Sequence, residues 1–143
     1  MRARLLLLLL ISGCAAGPQP LPEITPEPEP TPPPRENIAI AGLMETARTD
    51  AAAGRLANAA ASIERALRIE PRNPRLWHEL ARVRLRQGEY TQAESLAARS
   101  NNWAAGDNAL RAANWRLTAE ARSARGDEAG AQAALEAAKR VER

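Results

Sequence analysis

The chain has 143 residues, a length that suits one small domain. Its formal net charge is only +3 at pH 7, and Arg2 and Arg4 at the start supply two of those three charges. Beyond residue 13 the chain is therefore nearly neutral overall. This is weak support for binding bulk phosphate, so nucleic acid becomes a minor hypothesis.

Residues 1–13 have the form of a leader peptide. Arg2 and Arg4 precede an apolar run that is too short to span a bilayer, which takes about 20 residues. Small residues then precede Cys14, and the tetrapeptide ISGC at 11–14 resembles the bacterial lipobox. That resemblance implies cleavage before Cys14, lipid on its thiol and, with Ala15 next, sorting to the outer membrane. The alternative is a secretory leader with an incidental cysteine, although a lone thiol has no disulfide partner in an oxidising compartment.

Residues 14–37 begin with the lipidation candidate, Cys14, and are rich in proline after it. Proline interrupts helices and removes hydrogen-bond donors from sheets, so the composition predicts a disordered, extended polyproline II tether. At about 3.1 Å per residue the tether would reach on the order of 70 Å. We interpret it as a spacer between membrane and domain. The alternative is a specific ligand for a proline-binding partner.

Residues 38–143 contain an internal repeat. Equivalent residues recur every 34 positions in the first two units and are displaced by 38 in the third, because four extra residues precede it. The matched positions carry small, aliphatic or aromatic residues: Leu43 with Trp77, Ala47 with Ala81, Ala59 with Ala93, Ala66 with Ser100, then Trp115, Ala119 and Ala131. This pattern resembles the tetratricopeptide repeat, a helix–turn–helix unit. The resemblance implies an all-α domain of about three units and six helices over 38–143.

The local signals divide this domain into helices and turns. We expect helices at about 38–53, 56–69, 74–87, 89–101, 107–125 and 127–140. The turn within each unit is expected at a glycine, at Gly54, Gly88 and Gly126. Asn73 followed by Pro74 is typical of a helix start, with the asparagine as cap and the proline in the first turn.

Two further predictions concern packing. Trp77 and Trp115 occupy the position that usually belongs to the core of a unit. Asp50 and Arg84 are equivalent positions on the first helices of neighbouring units, which pack side by side. We predict an ion pair between them; the alternative is two independent solvated charges.

The sequence offers no site for chemistry. It has one histidine, no Cys/His cluster, no glycine-rich phosphate loop and no nucleophile with an apparent base. We therefore predict no enzyme activity, no catalytic residue, no metal, no cofactor and no small-molecule substrate. Because tetratricopeptide stacks usually bind proteins on the face made by the first helix of each unit, that face is the candidate site.

A stripe of basic residues marks this face on the second unit. The stripe residues are spaced 3, 4 and 4 apart, which places them on one side of a helix: Arg75, His78, Arg82 and Arg86. Arg48 in the first unit and Arg116 in the third take comparable positions. The stripe predicts an arginine-lined groove suited to acidic side chains or a carboxylate. The alternative is an ordinary solvated cationic face.

Two other observations bear on binding. The chaperone-type carboxylate clamp needs asparagines at set positions of its groove. Those asparagines are absent here, so we do not predict the function of that clamp for this chain. Trp103 lies in the segment NNWAAGDN, which we assign to the linker with the extra residues. It either packs locally or is an exposed partner-binding anchor.

Two stretches, at 64–101 and 114–127, carry a closer resemblance. Within them, AESLAARSN and NWRL resemble the pseudomonad-type outer-membrane lipoprotein activators of a class A penicillin-binding protein. The resemblance implies a lipid-anchored protein facing the periplasm, which docks on the periplasmic part of a bifunctional synthase and stimulates peptidoglycan synthesis. The alternatives are a general envelope scaffold for pilus or secretion-system assembly, and a hydrolase with an unrecognised site.

Overall fold

The computed structural model describes residues 38–143, which form six helices and no strand. The helices are α1 (Ile38–Ala52), α2 (Leu56–Ile69), α3 (Pro74–Arg86), α4 (Tyr90–Trp103), α5 (Asn108–Ala124) and α6 (Glu128–Glu142). Each consecutive pair packs together, so the predicted all-α fold of three helix–turn–helix units is confirmed. The predicted leader, lipidated Cys14 and tether lie outside the described residues.

Polar side chains cap the start of three helices. Asn73 accepts a hydrogen bond from the backbone N–H of Arg75 at 3.0 Å, and Pro74 occupies the first turn of α3, as predicted. Asp107 caps α5 and Asp127 caps α6, and each accepts a hydrogen bond from a backbone N–H at 2.9 Å. These caps satisfy backbone donors that have no partner inside the helix, and they fix where each helix begins.

The turns inside the units depend on glycine. The predicted turn residues have φ angles of 76°, 78° and 82°, at Gly54, Gly88 and Gly126 respectively. This left-handed conformation costs glycine little, because glycine has no Cβ. A fourth glycine of this kind, Gly106, lies in the α4–α5 connection. This connection, 104–107, is as long as the α2–α3 connection, 70–73. The four extra residues therefore do not lie in the linker, as expected from the sequence, but lengthen α5 to 17 residues against 13 in α3.

The core of the first two units is continuous, whereas the third unit has a smaller core of its own. The main core contains leucine, isoleucine and valine from α2 and α3, with alanines where helices cross: Ile63, Leu67, Leu76, Leu80, Val83, Ala59, Ala81 and Ala93. The small core consists of Ala119, Ala131 and Ala134, with Trp115 packed against it. Leu117 on α5 joins the main core and connects the third unit to it.

Both predicted core tryptophans pack against the core but neither is fully buried. Trp77 keeps its indole N–H at the surface of the core, where it donates to the carbonyl of Pro71 at 2.9 Å. The guanidinium of Arg99 lies 4.7 Å from the centre of the same ring. The polar edge of the indole therefore explains why this position sits at the margin of the core.

The predicted ion pair between Asp50 and Arg84 is wrong, and so is the alternative of two solvated charges. Asp50 is paired across the first turn with Arg55, at 2.7 Å. Arg84 instead reaches back to Glu64 on α2, also at 2.7 Å, and to Glu89 at 3.4 Å. Repeat equivalence identified neighbouring helices correctly, but the Arg84 side chain lies at the α2–α3 interface and does not point toward α1.

Candidate protein-binding groove

The first helices of the three units form a groove with two hollows, one on each side of α3. The first hollow lies between α1 and α3 and is lined by Met44, Ala47, Arg48, Ala51, Ala52, Ile63, Glu79, Arg82, Val83 and Arg86. The second hollow lies between α3 and α5 and is lined by His78, Arg82, Leu85, Arg86, Ala113, Arg116, Leu117 and Glu120. Arg82 and Arg86 line both hollows, so α3 forms the ridge between them.

Five of the six predicted basic residues line this groove. Arg48 lines the first hollow, His78 and Arg116 line the second, and Arg82 and Arg86 line both. These five residues come from all three first helices. The structure therefore brings these five predicted residues together along one groove; that they bind a partner stays a prediction.

Arg75 and Trp103 lie outside the groove. Arg75 pairs with Asp107 at 3.1 Å and lines a separate shallow depression at the α2–α3 turn. It occupies the first turn of α3, so shared helix spacing did not bring it to either hollow. Trp103 ends α4 and is not in a linker; it is 44% exposed, with the Arg72 guanidinium 5.2 Å from its ring. Both a local contact and an exposed surface are therefore present at Trp103.

The groove arginines already have partners of their own. Arg48 pairs with Glu45 at 3.3 Å, Arg82 pairs with Glu79 at 3.2 Å, and Arg116 pairs with Glu142. All three pairs are substantially exposed, so each contributes little to stability and can be exchanged for a carboxylate of a partner. Four arginines and two glutamates, Glu79 and Glu120, line the groove, and Glu45 and Glu142 approach it only through their pairs with Arg48 and Arg116.

Arg86 differs from the other groove arginines. Its guanidinium donates to the carbonyl of Ala51 near the end of α1 at 2.8 Å. This bond connects α3 to α1 and holds the Arg86 side chain across the first hollow. Because carbonyl groups at a helix end carry partial negative charge, the contact also places a cation where the helix dipole favours one.

The floor of both hollows is apolar. Met44, Ala47 and Val83 contribute to the first hollow, and Leu85 and Leu117 contribute to the second. An apolar floor with a cationic rim suits a protein segment that carries acidic side chains beside apolar ones. The floor supplies desolvated contact area, and the arginines supply directional bonds to carboxylates.

A buried hydrogen-bond network lies directly behind the second hollow. Asn114 on α5 is completely buried, and its Oδ1 lies 2.7 Å from Nδ1 of His78. The Asn114 amide nitrogen donates to Ser100 Oγ and to Asn101 Oδ1, both at 2.8 Å. Ser100 in turn donates to the carbonyl of Pro74 at 2.8 Å. We name these residues the polar junction.

Sequence reasoning missed the polar junction, although a signal was available. Asn114 stands 38 positions after Leu76, the displacement that relates the third unit to the second, and Leu76 belongs to the apolar core. A polar residue at a core position predicts a hydrogen-bonded partner, because a buried amide without partners is costly. The two segments that carry the family resemblance, AESLAARSN and NWRL, contribute Ser100, Asn101 and Asn114 to it.

The described residues show no other arrangement with obvious chemistry. Between residues 38 and 143 no group of three or more His, Cys, Asp or Glu side chains could hold a metal ion. None of the helices in this range has the length and apolar character needed to cross a membrane.

A groove made by the first helices of a three-unit helical stack defines a tetratricopeptide-repeat domain, a class of protein-interaction fold. Comparison with known families agrees, since residues 50–114 match the model of a tetratricopeptide repeat. No curated protein matches the chain.

The particular family follows from a solved structure, that of the globular C-terminal domain of P. aeruginosa LpoP. It is 46% identical to this chain with a TM-score of 0.69, and the similarity covers 71% of this chain and 95% of that one. The chain therefore belongs to the LpoP family, and the family prediction made from the sequence is confirmed.

Proposed function

We propose that this protein is an outer-membrane lipoprotein that binds and stimulates a class A penicillin-binding protein in peptidoglycan synthesis. The observation that carries the proposal is the 46% identity to the LpoP domain over 95% of that domain. The sequence resemblance to lipoprotein activators supplies the partner class. Lipid on Cys14 would hold the chain at the periplasmic side of the outer membrane, and residues 15–37 would give it reach.

The groove is the proposed docking surface. Its apolar floor and its arginines suit an acidic segment on the periplasmic part of the synthase, and Arg82 and Arg86 take part in both hollows. Stimulation requires that the chain bind the active conformation of the synthase more tightly than the inactive one. No catalytic residue of its own is needed, so the proposal has the chain act as a binding protein and not as an enzyme.

The test is a reconstitution with the cognate synthase. Purified chain added to the synthase is expected to raise the rates of glycan polymerisation and peptide cross-linking. Failure to bind or stimulate would refute the proposal. Glycan turnover by the chain alone would favour a hydrolase, and binding to pilus or secretion components without an effect on the synthase would favour a scaffold.

The groove is tested by charge reversal. Arg82→Glu with Arg86→Glu is expected to weaken synthase binding at least tenfold, because both hollows lose their shared cations. The matched control is Arg68→Glu with Arg140→Glu, which changes the net charge equally at exposed positions on second helices. Circular dichroism melts establish that both variants are folded. Equal affinities of the two variants would move the docking surface elsewhere, for example to Trp103.

A further inference from the structure

The polar junction fixes where the proton of the His78 ring lies. The Pro74 carbonyl can only accept, so the Ser100 hydroxyl hydrogen points to it. Ser100 Oγ must then accept from Asn114, which requires the Asn114 amide nitrogen, and not its oxygen, to face Ser100. The Asn114 oxygen therefore faces His78, and Nδ1 of His78 must carry a hydrogen.

This assignment leaves Nε2 as the ring nitrogen available to a ligand. Among the described residues the ring has one hydrogen-bond partner, Asn114 Oδ1, and His78 lines the second hollow. With Nδ1 protonated, a neutral ring offers only a lone pair at Nε2. A charged ring offers a hydrogen-bond donor there, while the bond to Asn114 is unchanged.

The charged groups around the His78 ring determine how a docked carboxylate interacts with its neutral and charged forms. The charged groups of the second hollow are Arg82 and Arg86 on α3 and Arg116 and Glu120 on α5; Glu79 and Glu142 pair with Arg82 and Arg116. These three arginines and three glutamates leave the empty hollow without a net charge. A carboxylate that docks beside the ring adds a negative charge, and it meets a repulsive lone pair unless Nε2 is protonated.

We propose that docking of a partner carboxylate in the second hollow is coupled to uptake of a proton at His78 Nε2. The proton comes from solvent, no covalent bond changes, and the charged ring donates from Nε2 to the carboxylate. Asn114 is a positioning residue: it accepts from Nδ1 in both charge states and holds the ring edge toward the hollow. The inference rests on the proposed function, whose synthase would supply the carboxylate.

The coupling has a definite sign. When the complex holds a proton that the free proteins lack, raising the pH weakens association. The limit is about a tenfold loss of affinity per pH unit, reached when one full proton is taken up. Lower pH therefore strengthens docking, until the free protein is itself protonated and the dependence flattens.

Proton uptake can be measured directly by calorimetry. The full chain, purified in detergent, is titrated into the cognate class A synthase at pH 7.5 in two buffers with different ionisation enthalpies. We expect uptake of a large fraction of a proton, and affinity roughly 3- to 10-fold higher at pH 6.5 than at pH 8. His78→Gln keeps a polar side chain of similar length; it should still bind, but with the uptake and the pH dependence lost.

The outcomes separate this inference from the proposed function. No binding at any pH would overturn the proposed function, and the coupling with it. Binding without proton uptake, or uptake that persists in His78→Gln, would overturn the coupling and leave the proposed function intact.

The tautomer has an independent readout, because His78 is the only histidine in the chain. Long-range ¹⁵N–¹H spectra of its ring are expected to show Nδ1–H in the free protein, and a ring with Nε2–H alone would overturn the assignment. Asn114→Leu with Ser100→Ala removes the acceptor for Nδ1. We expect this variant to lose the fixed tautomer and to show a weaker pH dependence of binding. An unchanged tautomer would show that Asn114 does not position the ring.

Discussion

The two junctions between units use equivalent positions but different chemistry. Between the first and second units, Leu76 and Ala66 lie in the continuous apolar core. Between the second and third units, the equivalent positions hold Asn114 and Ser100, which hydrogen-bond to each other at 2.8 Å. Apolar burial thus joins the first pair of units, and the second pair adds the polar junction to the apolar contact of Leu117.

The two junctions differ more in how directional their contacts are than in how strongly they hold the units together. Apolar contacts are not directional, so a leucine tolerates small shifts of its neighbours, whereas each hydrogen bond of Asn114 requires one partner at one distance and angle. The four extra residues lengthen α5 to 17 residues, against 13 in α3, so the helix lengths alone do not set the same alignment at both junctions. We infer that the polar junction specifies how the third unit sits on the second, as satisfied buried networks do.

The apolar junction should give the largest loss of stability when it is cut back. Leu76 is 2% exposed, and Leu76→Ala removes buried side chain and leaves a cavity. We expect a loss of about 3 kcal/mol in the free energy of unfolding. Urea denaturation of the chain carrying Cys14→Ser, which removes the proposed lipid site, measures it. A loss below about 1 kcal/mol would mean that the junction relaxes around the cavity.

The polar junction should be next. Asn114→Ala leaves His78 Nδ1 and the Asn101 side chain without their partner, and we expect a loss of about 2 kcal/mol. Native-state hydrogen exchange should show α5 and α6 losing protection before α2 and α3, because the third unit has the smaller core. Uniform loss of protection across all six helices would contradict the view that this junction governs the third unit.

Local features were predictable from the sequence, and long-range ones were not. Helix starts and turns depend on a few adjacent residues, so Asn73–Pro74 and the turn glycines were read correctly. The bond between His78 and Asn114 joins residues 36 apart on helices whose relative rotation depends on the whole stack. The repeat alignment could only reveal that Asn114 replaces a core leucine.

The same reasoning explains why long side chains were harder to place than helices. Repeat equivalence states which helices are neighbours, but not which way a long side chain turns. Arg84 therefore paired with Glu64 on the preceding helix and not with Asp50. Helical spacing does fix a face, and Arg82 and Arg86 lie on it in the groove, whereas Arg75 lies nearer the start of α3 and pairs with Asp107.

One ion pair is repeated at both junctions and allows a matched comparison. Arg84 and Arg122 are equivalent positions, and each reaches back to the second helix of the preceding unit, to Glu64 at 2.7 Å and Glu94 at 2.9 Å. We expect double-mutant cycles to give coupling energies of about 0.5–1 kcal/mol for each pair. The reason is that one side chain of each pair remains partly exposed to solvent, Glu64 in the first pair and Arg122 in the second.

The two cycles should differ in one respect. Glu94 also pairs with Arg125 at 2.7 Å, so Glu94→Gln is expected to cost more than Glu64→Gln. Urea denaturation of the single and double variants measures both cycles. A coupling energy near zero for Arg122 with Glu94, beside a large one for Arg84 with Glu64, would show that ion pairing also distinguishes the junctions.

The smallest net change is expected from converting the polar junction into a copy of the apolar one. Asn114→Leu with Ser100→Ala restores the residue pair found at Leu76 and Ala66, and removes both members of the Asn114–Ser100 bond together. His78 and Asn101 also lose Asn114, but both are only partly buried and can bond to water instead. Replacing both partners by apolar groups is nearly neutral, so we expect the free energy of unfolding to change by less than about 0.5 kcal/mol.

Each single substitution in this pair should cost more than the double one, and urea denaturation of the three variants checks the order. A loss above 2 kcal/mol in the double variant would mean that Asn114 is needed for stability itself. An unchanged free energy of unfolding would mean that leucine at position 114 stabilises the junction as well as asparagine does. The reason for an asparagine would then lie in the alignment of the third unit and in the proton that it holds on His78, the side chain that α3 presents to the groove.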